Sequence, residues 1–241
     1  MGVLPVAPVR HRSCAAMRST THSLAGGAAA GAAALACLPH SPLAAAGAIT
    51  FGTVVAGELP DLDVAGSRLS RGSRARHARG LMRTPLLLLA IPAVLLGLLT
   101  RLLLKPLGRL GAHRGATHTL VGLVVFTIMI PPAYFGCALG LLHVLPALHP
   151  AAHEPATDLA RSLAGHAPSV LAVLSLSTLA GVGSHLALDW LTPSGIPAAA
   201  PFSTRRYHAP LTVRTGSMAE LPITALMLLL WAIVVLNALE R

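Results

Sequence analysis

Long apolar runs separated by short polar stretches make up most of this sequence. Three runs, at 119–146, 169–191 and 221–239, have the length of about 20 helical residues that a bilayer crossing requires. Two shorter runs, 24–38 and 43–57, are rich in Ala and Gly, which allows close helix packing. We expect these two to form a helical hairpin inside the bundle. The pattern therefore predicts an all-α fold, a polytopic membrane helical bundle.

The composition supports a membrane environment. Of the 241 residues, 54% are hydrophobic and only 11% are charged, whereas a soluble domain has roughly 25% charged residues. Lys and Arg exceed Asp and Glu by 18 to 8, an excess that in membrane proteins marks cytoplasmic loops. Aromatic residues make up 3%, which argues against a base-stacking surface. We expect a multi-pass protein of the cell (inner) membrane, with the lipid bilayer and no nucleic acid as its partner.

Charge distribution divides the chain into a tail and one domain. Residues 1–21 form a basic N-terminal tail, and 22–240 form a single membrane-embedded domain. Within it, the arginine-rich stretch 64–85 is typical of a cytoplasmic loop that touches anionic lipid. The stretch 147–168 has little net positive charge, as expected of an external loop. Metal binding by this stretch's histidines is an alternative to ordinary solvation: His149, His153 and His166.

Two polar residues stand at the end of the apolar run 169–191. His185 and Asp189 are four residues apart, so they share one face of a helix. Such residues at the mouth of a membrane helix are costly to bury unless something binds them. A divalent metal ion is the simplest partner for a histidine and a carboxylate.

Two further pairs of possible metal ligands lie at the ends of other apolar runs. Asp61 and Asp63 follow Pro60 at the end of the second run, where a helix C-terminus disfavours acidic side chains. His113 and His118 precede the run that begins near residue 119. The alternatives are a solvated helix terminus for the aspartates and interfacial side chains for the histidines.

Topology tests whether these pairs can share one site. With the basic N-terminus inside the cell, the predicted helices bring all three pairs to the cytoplasmic face. The apolar segment 86–104, which contains Pro92, is also of spanning length. A single crossing there would separate Asp61 from His118. We therefore predict that this segment is re-entrant, interfacial or a bent hairpin.

Taken together, the three pairs resemble a known family, the bacterial YdjM-type inner-membrane proteins. The similarity extends from about His22 to Glu220, although 86–104 departs from the family pattern. It implies a membrane-bound metal-dependent hydrolase, in some members LexA-regulated, distantly similar to zinc-dependent phospholipase C and P1-type nucleases. The matching motifs are Leu-Pro-Asp61-Leu-Asp63, His113-Arg-Gly-Ala-Thr-His118 and Ser-His185-Leu-Ala-Leu-Asp189-Trp-Leu-Thr-Pro-Ser-Gly.

The resulting candidate site combines imidazoles and carboxylates. This mixture suits Zn²⁺, or else Mn²⁺, better than Mg²⁺ or Ca²⁺, and there are enough ligands for two or more ions. The candidate metal ligands are His22, Asp61, Asp63, His113, His118, His185 and Asp189.

The reaction expected from such a site is hydrolysis of a phosphoester or lipid-linked substrate at the cytoplasmic face. Asp61 or Asp63 can bridge ions or act as general base. Arg114, Arg205 and Arg206 can hold a substrate phosphate through forked hydrogen bonds, although topology alone also explains each arginine.

Two functions from other classes remain as alternatives. The first is a non-catalytic, metal-stabilised membrane scaffold. The second is a metal or proton transporter, which needs ionisable residues near the bilayer midplane. A serine hydrolase and a nucleotide hydrolase are excluded because the sequence has neither a Gly-x-Ser-x-Gly elbow nor a Walker loop.

Overall fold

The computed structural model describes residues 19–38, 40–63, 95, 114–148, 150–214 and 216–240. For Asp63 only the backbone is described. These parts of the chain form six α-helices joined by loops and short 3₁₀ segments. The helices are α1 (Ser19–Cys37), α2 (Pro42–Val54), α3 (Leu120–Leu148), α4 (His153–Gly165), α5 (Ala167–Trp190) and α6 (Glu220–Leu239).

The predicted all-α polytopic bundle is confirmed. Four stretches of the described chain are long and apolar enough to cross a membrane: Pro42–Leu62, Leu120–Ala147, Ala167–Trp190 and Glu220–Leu239. Most of the stretch 147–168, which is expected to be external, forms the helix α4. Its polar and apolar residues recur at helical spacing, and Ala156 on one side is buried.

Helices α1 and α2 form a tight hairpin that also packs against α5 and α6. Their glycines explain the close approach. A Cβ on Gly26 would lie 2.6 Å from the carbonyl oxygen of Gly52, and one on Gly52 would meet the backbone of Gly26. Only residues without a side chain allow the two backbones to come this near.

The end of α2 leads the chain into the polar end of the bundle. After Val54 the helix tightens into a 3₁₀ helix, Ala56–Asp63, with Pro60 inside it. Its apolar side chains are buried against α3 and α5, which fixes the position of the intervening polar residues. The main core cluster comprises Phe51, Val55, Ala56, Leu59, Leu62, Phe126, Ile130, Tyr134, Val182, Leu186 and Ile196.

The loop between α5 and α6, residues 192–218, folds back over the same end. Ile196 and Tyr207 exchange two backbone hydrogen bonds, each 2.9 Å long. The amide of Ala209 donates to the carbonyl of Trp190 at 2.9 Å, and that of Val213 donates to Leu191 at 2.8 Å. The loop is therefore held against the helix ends.

Candidate metal centre

Four separate chain segments bring polar side chains together at one end of the bundle, here termed the cluster end. The start of α1, the 3₁₀ helix after α2, the 3₁₀ turn Ala116–His118 before α3 and the last two turns of α5 all contribute. Four of the side chains are at most 1% exposed, and that of Asp61 is 15% exposed. The cluster consists of His22, Asp61, His118, His185 and Asp189.

Pairs of nitrogen and oxygen atoms in the cluster are spaced as two ligands of one ion would be. His118 Nε2 lies 3.2 Å from Asp189 Oδ2 and 3.6 Å from Asp61 Oδ1. His185 Nε2 lies 3.7 Å from Asp189 Oδ2 and 3.8 Å from Asp61 Oδ1. Ligands about 2.0–2.1 Å from a tetrahedral zinc ion are about 3.3–3.4 Å from each other. The observed separations are close to that value.

The imidazole rings of the cluster are oriented by hydrogen bonds from their outer nitrogens. His185 Nδ1 donates to the carbonyl oxygen of Gly57 at 2.8 Å, which leaves the lone pair of Nε2 facing the cluster. His118 Nδ1 lies 3.0 Å from the hydroxyl of Thr117. This division between an outer hydrogen bond and an inner lone pair is the usual arrangement of metal-binding histidines.

His22 has no such outer partner. Its ring stacks on that of His185 with centroids 3.8 Å apart, and Nε2 lies 3.7 Å from Asp189 Oδ1. Among the described residues, neither ring nitrogen of His22 has a hydrogen-bond partner. Buried polar atoms normally have one, so the ring has unused capacity to bind a ligand.

Arg114 fixes the carboxylate of Asp189 from the other side. Its NH2 group donates to Asp189 Oδ1 at 2.5 Å, and NH1 donates to the hydroxyls of Thr192 and Ser194. The Arg114 backbone has a φ of 58°, and its carbonyl accepts a 3.0 Å hydrogen bond from Arg206 NH2. Arg114 holds Oδ1, which also faces His22, and the other oxygen, Oδ2, faces His118 and His185.

Five of the seven predicted metal ligands therefore come together. His113 lies outside the described residues, as does the side chain of Asp63. Arg205 is exposed, with its guanidinium 5.5 Å from the ring centroid of Tyr207. The phosphate-binding role of the three arginines stays a prediction, and Arg114 has protein partners that the sequence did not reveal.

One buried acid next to the cluster was not among the predicted site residues. Glu58 is 2% exposed and accepts hydrogen bonds from Ser19 Oγ at 2.8 Å and Ser23 Oγ at 2.6 Å. The two serines are four residues apart and so share a face of α1, and His22 lies between them in the first turn of the helix. That spacing was the available signal, but it is common on helices without a buried acid.

The chemistry of the cluster fits a transition metal ion. Three imidazoles and two carboxylates are a donor set suited to zinc or manganese. Both sets of three mutually close ligands contain His185, whose Nε2 has one lone pair and can serve one ion. The described residues thus offer one complete ligand set.

Comparison with known proteins agrees with the motifs. The family model described as "YdjM inner membrane protein" matches residues 17–240. The chain belongs to this family. A search of curated proteins and a search of solved structures found no match. With four candidate spans, this YdjM-family protein is a multi-pass protein of the inner membrane. The more distant similarity to phospholipase C and P1-type nucleases stays a prediction.

The apolar segment 86–104, apart from Leu95, lies outside the described residues. The residues on either side of it are informative, since Asp61 and His118 approach to 3.6 Å. The chain therefore leaves and re-enters the described part at the cluster end. The prediction that 86–104 does not cross the membrane once is retained on that basis.

Proposed function

We propose that this YdjM-family protein is a membrane-bound metal-dependent hydrolase that acts on a phosphoester or lipid-linked substrate at the cytoplasmic face. The observation that carries the proposal is the convergence of three imidazoles and two carboxylates from four chain segments, with donor atoms 3.2–3.8 Å apart. Burying so many polar groups is costly without a partner that binds them. A metal ion is a partner that three members can share at a time, either His22, His185 and Asp189 or Asp61, His118 and His185.

The ion that fits best is Zn²⁺, with Mn²⁺ as the second choice. His118, His185 and Asp189 are the best-oriented ligands, because their outer atoms are fixed by Thr117, Gly57 and Arg114. His22 lies close enough to His185 and Asp189 to be a further ligand. A bound divalent ion supplies a Lewis acid for phosphoester hydrolysis. A second ion would require the side chains of His113 and Asp63.

The two aspartates have different roles in this proposal. Asp189 is buried and held by Arg114, so it is suited to keep the ligand geometry fixed. Asp61 is 15% exposed and is the member of the cluster that reaches the surface most. A partly exposed carboxylate can take a proton from water and release it to solvent. Asp61 is therefore the proposed general base.

The test is the metal content and turnover of full-length protein purified in detergent with zinc. Wild type, His118→Ala, His185→Ala and the control His166→Ala are compared, the last of these being an exposed histidine outside the cluster. We expect about one bound zinc or more per wild-type chain, and at least a tenfold lower zinc affinity in the two cluster variants. Hydrolysis of a chromogenic phosphodiester should fall with the metal, and His166→Ala should match wild type.

The proposal fails if wild type binds no metal, or if His118→Ala and His166→Ala retain equal amounts. The near-complete burial of His22, His118, His185 and Asp189 favours one alternative, a metal-stabilised scaffold. Stoichiometric zinc in wild type without hydrolysis of soluble or lipid phosphoesters would support that scaffold over the enzyme.

A further inference from the structure

The 192–218 loop has an unusual charge balance for a connection between two spanning helices. It contains no Asp or Glu, and its basic residues are Arg205, Arg206, His208 and Arg214. All four are exposed. The loop is thus a cationic surface that has no acidic residue of its own to neutralise the charge.

The same loop exposes large apolar side chains. Phe202 is 88% exposed, Leu211 85% and Met218 80%. Each leaves apolar area in contact with its surroundings that burial in a protein core or a lipid phase would remove, at roughly 25 cal/mol per Å². Apolar side chains between basic ones are typical of segments that lie in the interface of a membrane.

The position of the loop places this surface at the bilayer boundary. Helix α5 ends at Trp190 and α6 begins at Glu220, and both helices are long enough to span. The backbone hydrogen bonds of Ala209 and Val213 to the end of α5 hold the loop close to the helix ends. A loop held against the ends of two spanning helices is expected near the level of the lipid headgroups.

We propose that the 192–218 loop binds the headgroups of anionic phospholipids at the cluster end of the bundle. Arg205 and Arg214 contact the lipid phosphates, while Phe202, Leu211 and Met218 enter the upper acyl region. Positive charge attracts anionic lipid at about 1 kcal/mol for each Arg near the surface, equivalent to about fivefold in affinity. None of these residues belongs to the metal cluster, so lipid binding and zinc binding are measured on separate variants, although Arg205 is also one of the arginines predicted to hold a substrate phosphate.

Native mass spectrometry tests the contribution of the arginines to lipid binding. It counts the lipid molecules bound to the full chain purified in detergent. The probes are phosphatidylglycerol, phosphatidylcholine and inorganic phosphate. We expect wild type to prefer phosphatidylglycerol, and the double variant Arg205→Gln/Arg214→Gln to bind it about 25-fold more weakly. The matched control is Arg161→Gln on α4, which is also exposed and should lose nothing. Arg206 is left intact because it holds the Arg114 carbonyl.

Equal binding of the two lipids by wild type would overturn the proposal. So would equal losses in the double variant and Arg161→Gln. If inorganic phosphate displaces phosphatidylglycerol at equal concentration, the loop is a site for free phosphate and not a membrane-binding surface.

Fluorescence tests the apolar contribution. A tryptophan is placed in the loop as Phe202→Trp, with Trp190→Phe and Trp231→Phe removing the two native tryptophans. In vesicles containing phosphatidylglycerol brominated near the headgroup, we expect the emission to be quenched by the lipid and protected from aqueous acrylamide. Quenching by acrylamide alone would show that the loop lies in water and would refute insertion.

Discussion

Histidines occur at both ends of the bundle, yet the two sets are held in opposite ways. At the cluster end, His118 and His185 are 0% exposed and contact residues far away in the sequence. At the other end, where α3 ends and α5 begins, His143 and His166 are exposed. Each donates through Nδ1 to a carbonyl four residues earlier, at 2.8 Å. Only the first set converges from several chain segments.

The ion pairs of the two ends differ in the same way. Arg114 and Asp189 are 75 residues apart in sequence and are 7% and 1% exposed. Arg161 and Asp158 are neighbours on α4, and both are 72% exposed. Spacing of three or four residues along a helix therefore does not by itself indicate a site. What distinguishes a site is the joint burial of charges from distant segments.

The largest expected effect concerns the side of the membrane on which each end of the bundle lies, and its outcome is all-or-none. Reporter fusions at residues 75 and 110 should both give the cytoplasmic signal, since Asp61 and His118 lie at the same end. A fusion at residue 155, in α4, should give the external signal, because α3 separates it from the cluster end. Opposite signals at 75 and 110 would contradict the shared metal site.

The second effect is the difference in free energy of unfolding that the two ion pairs contribute. Arg114→Gln leaves the carboxylate of Asp189 buried without its cation, which should cost about 3–5 kcal/mol of stability. The exposed pair is worth about 0–1 kcal/mol, so Arg161→Gln should change little. Unfolding of both variants in detergent with a metal chelator present measures the difference.

Arg114→Lys separates charge from geometry in this experiment. A lysine keeps the positive charge but lacks the planar fork that reaches Asp189, Thr192 and Ser194 together. We expect it to recover only part of the lost stability. Equal, small losses in Arg114→Gln and Arg161→Gln would show that the buried pair is no more important than the exposed one.

Much of the fold and part of the site could be predicted from the sequence. Apolar runs of spanning length predicted α3, α5 and α6, because the bilayer imposes a minimum length on such helices. His185 and Asp189 were found because polar residues at the end of an apolar helix are rare. The family resemblance then supplied His22, which no local pattern singled out.

The remaining features depend on contacts between distant segments, which local patterns do not encode. The carbonyl of Gly57 orients His185 from 128 residues away, and any residue type has a carbonyl. Arg114 was predicted to hold a substrate phosphate, whereas its hydrogen bonds to Asp189, Thr192 and Ser194 had no signal in the local sequence. The external position of 147–168 stays a prediction, and the helix α4 within it was not predicted.

The smallest expected effect comes from two glycines and connects packing with the cluster. A Cβ at Gly26 would lie 2.6 Å from the oxygen of Gly52 and 2.7 Å from the Cα of Gly57. Gly26→Ala should therefore cost about 1–3 kcal/mol, as overpacking usually does. At Gly136 on α3 a Cβ meets no described atom within 4 Å. Gly136→Ala should be neutral or stabilise the helix by up to about 1 kcal/mol.

Zinc retention shows whether the effect of Gly26→Ala reaches the metal ligands. Shifting Gly57 moves the carbonyl that orients His185, so Gly26→Ala should lower zinc affinity as well as thermal stability, whereas Gly136→Ala should leave zinc affinity unchanged. If Gly26→Ala is destabilised but binds zinc as wild type does, the hairpin supports the fold without aligning the ligands. The cluster would then depend on its own hydrogen bonds and not on the packing of α1 against α2.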